Sequence, residues 1–110
     1  MDEFTAAAPA APNFDLSGQV ALVTGAARGL GAACALALAQ SGADIALGLR
    51  DVNSPHAPVE AIRALGRRVL PLQMDITKKE QIERATEEAV RHFGKLDILV
   101  NNAGIVRDSA

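Results

Sequence analysis

The sequence predicts an α/β fold built on a doubly wound parallel sheet, and three observations carry that expectation. From Ser17 onward the hydrophobic period switches back and forth between short β-branched runs and helical stripes. Glycines fall where the helical stripes stop. The composition, 49% hydrophobic and 22% charged over 110 residues, is that of a globular unit, which sets one domain as the ceiling.

Each element follows in order. Residues 19–24 (Q-V-A-L-V-T) are apolar and β-branched, as a strand covered on both faces should be, and the run ends at Gly25. A helix comes next, with Leu30, Ala33, Cys34, Ala37 and Leu38 recurring at three and four residues and Gly42 as its stop. Residues 44–49 (D-I-A-L-G-L) form the second strand. After an N-S-P turn, Val59, Ile62 and Leu65 mark a short helix stopped by Gly66. The third strand covers residues 69–74, and Pro71 within it predicts an edge position, because proline donates no ladder hydrogen bond. Thr77 and Glu80 read as a T-x-x-E capping box. Ile82, Ala85, Ala89, Val90 and Phe93 then share one helical face before Gly94. Residues 96–100 (L-D-I-L-V) are the fourth strand, leading into Asn101-Asn102-Ala103-Gly104.

Strand, helix, strand in repetition requires right-handed crossovers, which gives the strand order 3-2-1-4. Two helices then cover one sheet face and one covers the other. The fourth strand is left with no partner on its far side, so its apolar edge Ile98-Leu99-Val100 predicts poor solubility or oligomerisation of the chain alone.

Several function classes are excluded. A net charge of −2 with interleaved signs leaves no basic stripe, so nucleic acid is not expected as a partner. The single Cys34 forms no internal disulfide and suits a packed thiol in a reducing compartment. His56 sits in a turn and His92 late in a helix, neither with a ligand partner at i+4, so no metal site is expected. Residues 1–15 are an Ala/Pro-rich tail with acids where a signal peptide needs bases, and no run of eighteen apolar residues could span a membrane. A cytoplasmic protein is expected, its folded unit covering residues 16–110.

Thr24-Gly25-Ala26-Ala27-Arg28-Gly29-Leu30-Gly31 is the sharpest motif, lying where a buried strand turns into a helix. One glycine permits the tight turn, another lets backbone N–H groups approach a pyrophosphate, and a third allows close helix packing. The helix N-terminus supplies aligned dipoles for phosphate charge. Glycines alone would equally suit an ordinary flexible turn.

The T-G-x-x-x-G-x-G spacing together with N-N-A-G after the fourth strand resembles the short-chain dehydrogenase/reductase family. The likeness runs from about Phe14 to the end and corresponds to the N-terminal half of the family's Rossmann domain. It implies that Thr24, Gly25, Arg28, Gly29, Leu30 and Gly31 line the pyrophosphate and adenosine end of a dinucleotide. It also implies that Asp75, followed by Ile76, stands beside the adenine amino group, and that Asn102, Ala103 and Gly104 pass the adenine ribose. Without the resemblance, Asp75 would be a solvated carboxylate before a helix and the asparagines a polar turn.

Cofactor choice falls at the end of the second strand, where an acid would hold a ribose 2′-OH and an arginine a 2′-phosphate. Here the residues are Leu49-Arg50-Asp51. The family's NAD-selecting acid would fall near Leu49, which accepts no hydrogen bond, whereas Arg50 lies where NADP-dependent members carry a base. NADP(H) is therefore the expected cofactor. Asp51, twenty residues after Gly31, keeps NAD(H) open.

By resemblance the activity is hydride transfer between an alcohol/ketone couple and NAD(P), with Ser, Tyr and Lys as the catalytic groups and a homo-oligomeric full-length protein. This chain contains no tyrosine, so no catalytic residue is assigned and the chain is expected to be an inactive, cofactor-binding fragment of a longer oxidoreductase. The wording F-D-L-S-G-Q-V-A-L-V-T-G, L-A-Q-S-G-A-D-I and A-L-G-R-R resembles sugar-acid dehydrogenases of the 2-deoxygluconate 3-dehydrogenase type. N-N-A-G-I-V-R-D resembles 3-oxoacyl-carrier-protein reductases. Two other classes stay open: a non-catalytic nucleotide-binding or interaction module, and an S-adenosylmethionine-binding half-fold.

Overall fold

In the computed structural model, residues 14–102 are described, and they form four strands and three helices in strict alternation. The elements are β1 (Val20–Thr24), α1 (Gly29–Gln40), β2 (Asp44–Leu49), α2 (Ala57–Ala64), β3 (Val69–Gln73), α3 (Lys79–Phe93) and β4 (Ile98–Asn101). All pairings are parallel and the order is β3-β2-β1-β4, as the crossover argument requires. Register places Val23 opposite both Leu47 and Val100, so the carboxyl ends of β1, β2 and β4 finish level.

β1 and β2 are central and buried almost throughout. Two apolar clusters lie on opposite sheet faces. Ala21, Val23, Ile45, Leu47 and Leu49 pack with Ala35, Ala39 and Ile62 from α1 and α2, while Leu22, Ala46, Leu72 and Met74 pack with Ala85 and Ala89 of α3. Fully burying a Leu or Ile contributes about 2 kcal/mol relative to leaving it exposed, so the first cluster is the main anchor of the fold.

Pro71 does sit on an edge strand, since β3 pairs only with β2. Met74 N donates to Leu49 O, and strand alternation therefore turns the amide nitrogen of Pro71 outward, where no ladder bond is lost. At the opposite edge, Leu99 is 63% exposed, and no strand among the described residues lies beyond β4. No helix among the described residues is long and apolar enough to cross a membrane.

Three local expectations need correction. The buried line of α1 is Gly31, Ala35 and Ala39, not Leu30, Ala33, Cys34, Ala37 and Leu38. This helix is apolar nearly all round, so period alone selects no face, and the smallest residues turn inward because they let its backbone approach the sheet. Leu65 is the C-cap of α2 and is exposed, as is Val90 on α3. The T-x-x-E capping box does not form: Lys78 is the N-cap of α3, and the Thr77 hydroxyl donates instead to Asp75 Oδ1 at 2.7 Å, a charged acceptor close at hand. Gly42, Gly66 and Gly94 end or follow their helices at positive φ, as expected of stops.

Candidate functional site

The three motif glycines divide their roles. Gly25, at φ +60°, turns the chain sharply out of β1, and Gly29, at φ +64°, opens α1 in a conformation that side chains disfavour. Around Gly29 a Cβ would meet no atom within 4 Å, so the backbone there is open to an approaching group. Gly31 is the close-packing position: a Cβ would lie 2.1 Å from Gly25 O and 2.9 Å from Asn102 Nδ2. Any side chain at residue 31 collides with the turn it supports. The first-turn N–H groups of α1 have no intrahelical acceptor and give this end a partial positive charge.

The turn is tied to the end of β4. Thr24, buried at the last position of β1, presents a hydroxyl that donates to Val100 O and Asn101 Oδ1 at 3.4 and 3.2 Å and accepts from Asn102 N at 3.0 Å. Asn102 Nδ2 in turn donates to Gly25 O at 3.3 Å. The T-G motif and the two asparagines, more than seventy residues apart, are thus one hydrogen-bonded unit.

Beside it, Ala27, Arg28, Arg50, Asp51, His56 and Asp75 surround a cleft of about 460 Å³, and Gly25, Arg50, Met74, Asp75, Ile76 and Thr77 line an adjoining hollow. Among the described residues neither Arg28 nor Arg50 enters an ion pair. Asp51 is engaged in its own loop, Oδ1 accepting from Asn53 N and Oδ2 from the Ser54 hydroxyl. The Ser54 hydroxyl first, and then the Asn53 N–H, lower its pKa from the ordinary carboxylate value. Asp75 is lowered too, first by the Thr77 hydroxyl, then by the Thr77 N–H, with Arg50 and Lys78 adding positive charge nearby. Both carboxylates are therefore ionised acceptors at neutral pH. The cleft thus brings two cations, Arg28 and Arg50, and two ionised acceptors, Asp51 and Asp75, together beside the N-terminus of α1.

The model of the short chain dehydrogenase family matches residues 19–110. The chain belongs to the short chain dehydrogenase family. It is 50% identical over 91 residues to hydroxynaphthalene reductase arp2 of Aspergillus fumigatus, covering 82% of this chain and 33% of that protein. It is 49% identical over 94 residues to 2-dehydro-3-deoxy-D-gluconate 5-dehydrogenase of Escherichia coli, covering 86% and 36%. The chain thus spans about a third of the length of these curated relatives. Among solved structures, a short chain dehydrogenase from Burkholderia cenocepacia in complex with NADP matches at 44% identity and a TM-score of 0.79 over 87% of this chain and 40% of that one. Carveol dehydrogenase from Mycobacterium avium in complex with NAD matches at 33% and 0.72 over 87% and 39%.

Within this short chain dehydrogenase fold, Thr24, Gly25, Arg28, Gly29, Leu30, Gly31, Arg50, Asp75, Ile76 and Asn102 all lie at the carboxyl end of the sheet. Leu30, 65% exposed, sits on the first turn of α1. Ala103 and Gly104 lie outside the described residues. Residue-by-residue reading missed Gln73 and Gln81, whose amides join the loops carrying Arg50 and Asp75. Nothing in sequence separates a glutamine that ends a strand from any exposed polar residue. Among the described residues no group of His, Cys, Asp or Glu is arranged to hold a metal ion.

Proposed function

We propose that this chain binds a nicotinamide dinucleotide at the carboxyl end of its sheet, NADP(H) in preference to NAD(H). The pyrophosphate would lie over Gly25, Arg28, Gly29, Leu30 and Gly31, the adenine beside Asp75 and Ile76, and the ribose near Asn102, Ala103 and Gly104. The observation that carries the reading is the pair of cations: Arg28 and Arg50 face one cleft without an ion pair among the described residues, while the acid that would favour NAD, Asp51, is already hydrogen-bonded through both carboxylate oxygens. The NADP and NAD complexes of the two structural neighbours support the ligand class.

A nicotinamide held there supplies hydride transfer, and the whole protein's reaction is an alcohol/ketone interconversion, with a sugar acid or a 3-oxoacyl compound as the substrate class. Likeness to the gluconate dehydrogenase supports the sugar-acid reading. The 110 residues contain no tyrosine to relay a proton, so alone they bind cofactor without turnover.

Fluorescence titration of the chain with NADPH and NADH tests this. NADPH should bind at least about tenfold more tightly, and Arg50→Ala should abolish the difference, since a hydrogen bond to a charged group contributes about 1.5–3 kcal/mol. Tighter NADH binding would overturn the cofactor preference. Binding of S-adenosylmethionine with no dinucleotide binding would replace the reading with a methyl-donor half-fold, and binding of neither nucleotide would leave an interaction module.

A further inference from the structure

Four side-chain hydrogen bonds link the two loops that flank the Arg50 cleft, through a pair of glutamines. Gln73, the last residue of β3, donates from Nε2 to Arg50 O at 2.6 Å and accepts at Oε1 from Val52 N at 3.0 Å. One planar amide therefore clasps the backbone on both sides of Asp51. Its second Nε2 hydrogen goes to Gln81 Oε1 at 3.2 Å, on the first turn of α3, and the same Gln81 oxygen accepts from Asp75 N at 2.9 Å. Donors and acceptors fit in only one orientation of Gln73, because a flipped amide would set its NH2 against the Val52 N–H. Three of these bonds lie at the surface, where water can satisfy their groups, and only the bond from Asp75 N is partly buried, so burial does not require the clasp. What it adds is position: the main chain at Arg50 and the main chain at Asp75 are tied together beside the cleft that both residues line.

We infer that Gln73 and Gln81 are positioning residues of one clasp, Gln73 setting the Arg50 loop for a 2′-phosphate and Gln81 setting Asp75 for the adenine. The inference rests on the dinucleotide reading above. Gln73 acts chiefly on the Arg50 loop, which only NADP(H) uses through its extra phosphate. Gln81 acts on Asp75, which both dinucleotides share.

The test is titration of the full 110-residue chain and its Gln73→Met and Gln81→Met variants with NADPH and NADH, alongside thermal melts. Gln73→Met should weaken NADPH about tenfold while NADH stays within about threefold, the scale of losing the alignment of one charge-assisted contact. Gln81→Met should weaken both by about threefold, leaving their ratio close to that of the parent chain. A Gln73→Met chain that melts lower but keeps the parental NADPH-to-NADH ratio assigns the glutamines a purely structural role and overturns the inference alone. A parent chain that binds neither dinucleotide overturns the underlying reading and the inference with it. Should Gln73→Met fail to fold, Gln81→Met decides, because it leaves both bonds from Gln73 to the Arg50 loop in place: unchanged affinity for both nucleotides overturns the positioning role, and parallel loss supports it.

Discussion

The two ends of the sheet are closed by different chemistry. At the amino ends of the strands, two ion pairs form: Asp97 Oδ2 accepts from Val20 N at 2.8 Å and lies 3.2 Å from Lys95 Nζ, and Arg68 Nε donates to Asp44 Oδ2 at 3.0 Å, while Arg67 Nη1 donates to Gly42 O at 3.0 Å. The Arg68 guanidinium also lies 4.9 Å from the centre of the Phe93 ring. At the carboxyl ends, the bonds that join strand to strand run among neutral groups, Thr24, Asn101, Asn102 and Gly25 on one side and Gln73 and Gln81 on the other. Arg28 and Arg50 stand there without an ion pair among the described residues. The amino end holds two ion pairs, whereas at the carboxyl end Arg28 and Arg50 face a cleft that they share with Asp51 and Asp75. Open α/β sheets bind ligands beyond the carboxyl ends of their strands, and on the proposed function the two ends of this sheet divide stability from recognition.

The largest expected effect lies at the carboxyl end and comes from geometry rather than charge. Gly31→Ala places a methyl group 2.1 Å from Gly25 O, which is backbone and has no rotamer to escape into. Helix and turn must separate, at a cost of about 3 kcal/mol, and the turn proposed to receive the pyrophosphate moves with them. Urea unfolding and NADPH titration of the same variant should both fall. A variant that keeps its midpoint and its affinity would show that the turn tolerates displacement, and would break the claim that the carboxyl end is a geometric device.

How much of this was legible in sequence follows the same division. Alternating periods gave the strand order, and Pro71 correctly marked the edge because a missing N–H has a unique consequence in a ladder. Gly25, Gly29 and Gly31 could be read because each conformational demand excludes other residues. By contrast, the buried face of α1 could not be read from period, since an alanine-rich helix is apolar on every side and the choice of Gly31, Ala35 and Ala39 is made by how closely the sheet must be approached. Thr77 looked like a cap, yet its hydroxyl found the nearer charged oxygen of Asp75. Gln73 and Gln81 were invisible for a different reason: their role exists only once β2, β3 and α3 are placed side by side. Local patterns report local constraints, and the bridge is not local.

At the amino end the next effect in size should separate stability from binding. Asp97→Ala removes the acceptor of Val20 N and the partner of Lys95, loosening the entry of β4 against β1. The expected outcome is a lower melting temperature with NADPH affinity unchanged, the reverse of Arg50→Ala, which should weaken NADPH and leave the melt in place. Loss of affinity in Asp97→Ala, beyond what its unfolded fraction explains, would mean that the two ends are mechanically coupled and that the contrast between them is too sharp.

The smallest effect is on the acid side of the stability curve, and both ends contribute to it. The carboxyls of Asp15 and Asp97 at the amino end, and of Asp51 and Asp75 at the carboxyl end, all have folded-state pKa values lowered mainly by hydrogen bonds: from the Ser17 hydroxyl, the Val20 N–H, the Ser54 hydroxyl and the Thr77 hydroxyl respectively. A lowered folded pKa means that the unfolded chain takes up protons first as pH falls. The stabilisation is therefore fully present above the unfolded carboxylate range near about pH 4 and is lost as pH drops below it through the lowered values. Asp15, Asp51 and Asp97 are exposed and Asp75 is half-buried beside solvent, so screening keeps each contribution small. Urea midpoints should stay level from neutral pH down to about pH 5 and then decline, with a shallower decline in Asp97→Ala because one of the four linked groups is gone. A decline that begins near neutral pH would show that groups other than these four carboxyls govern the acid side of the curve.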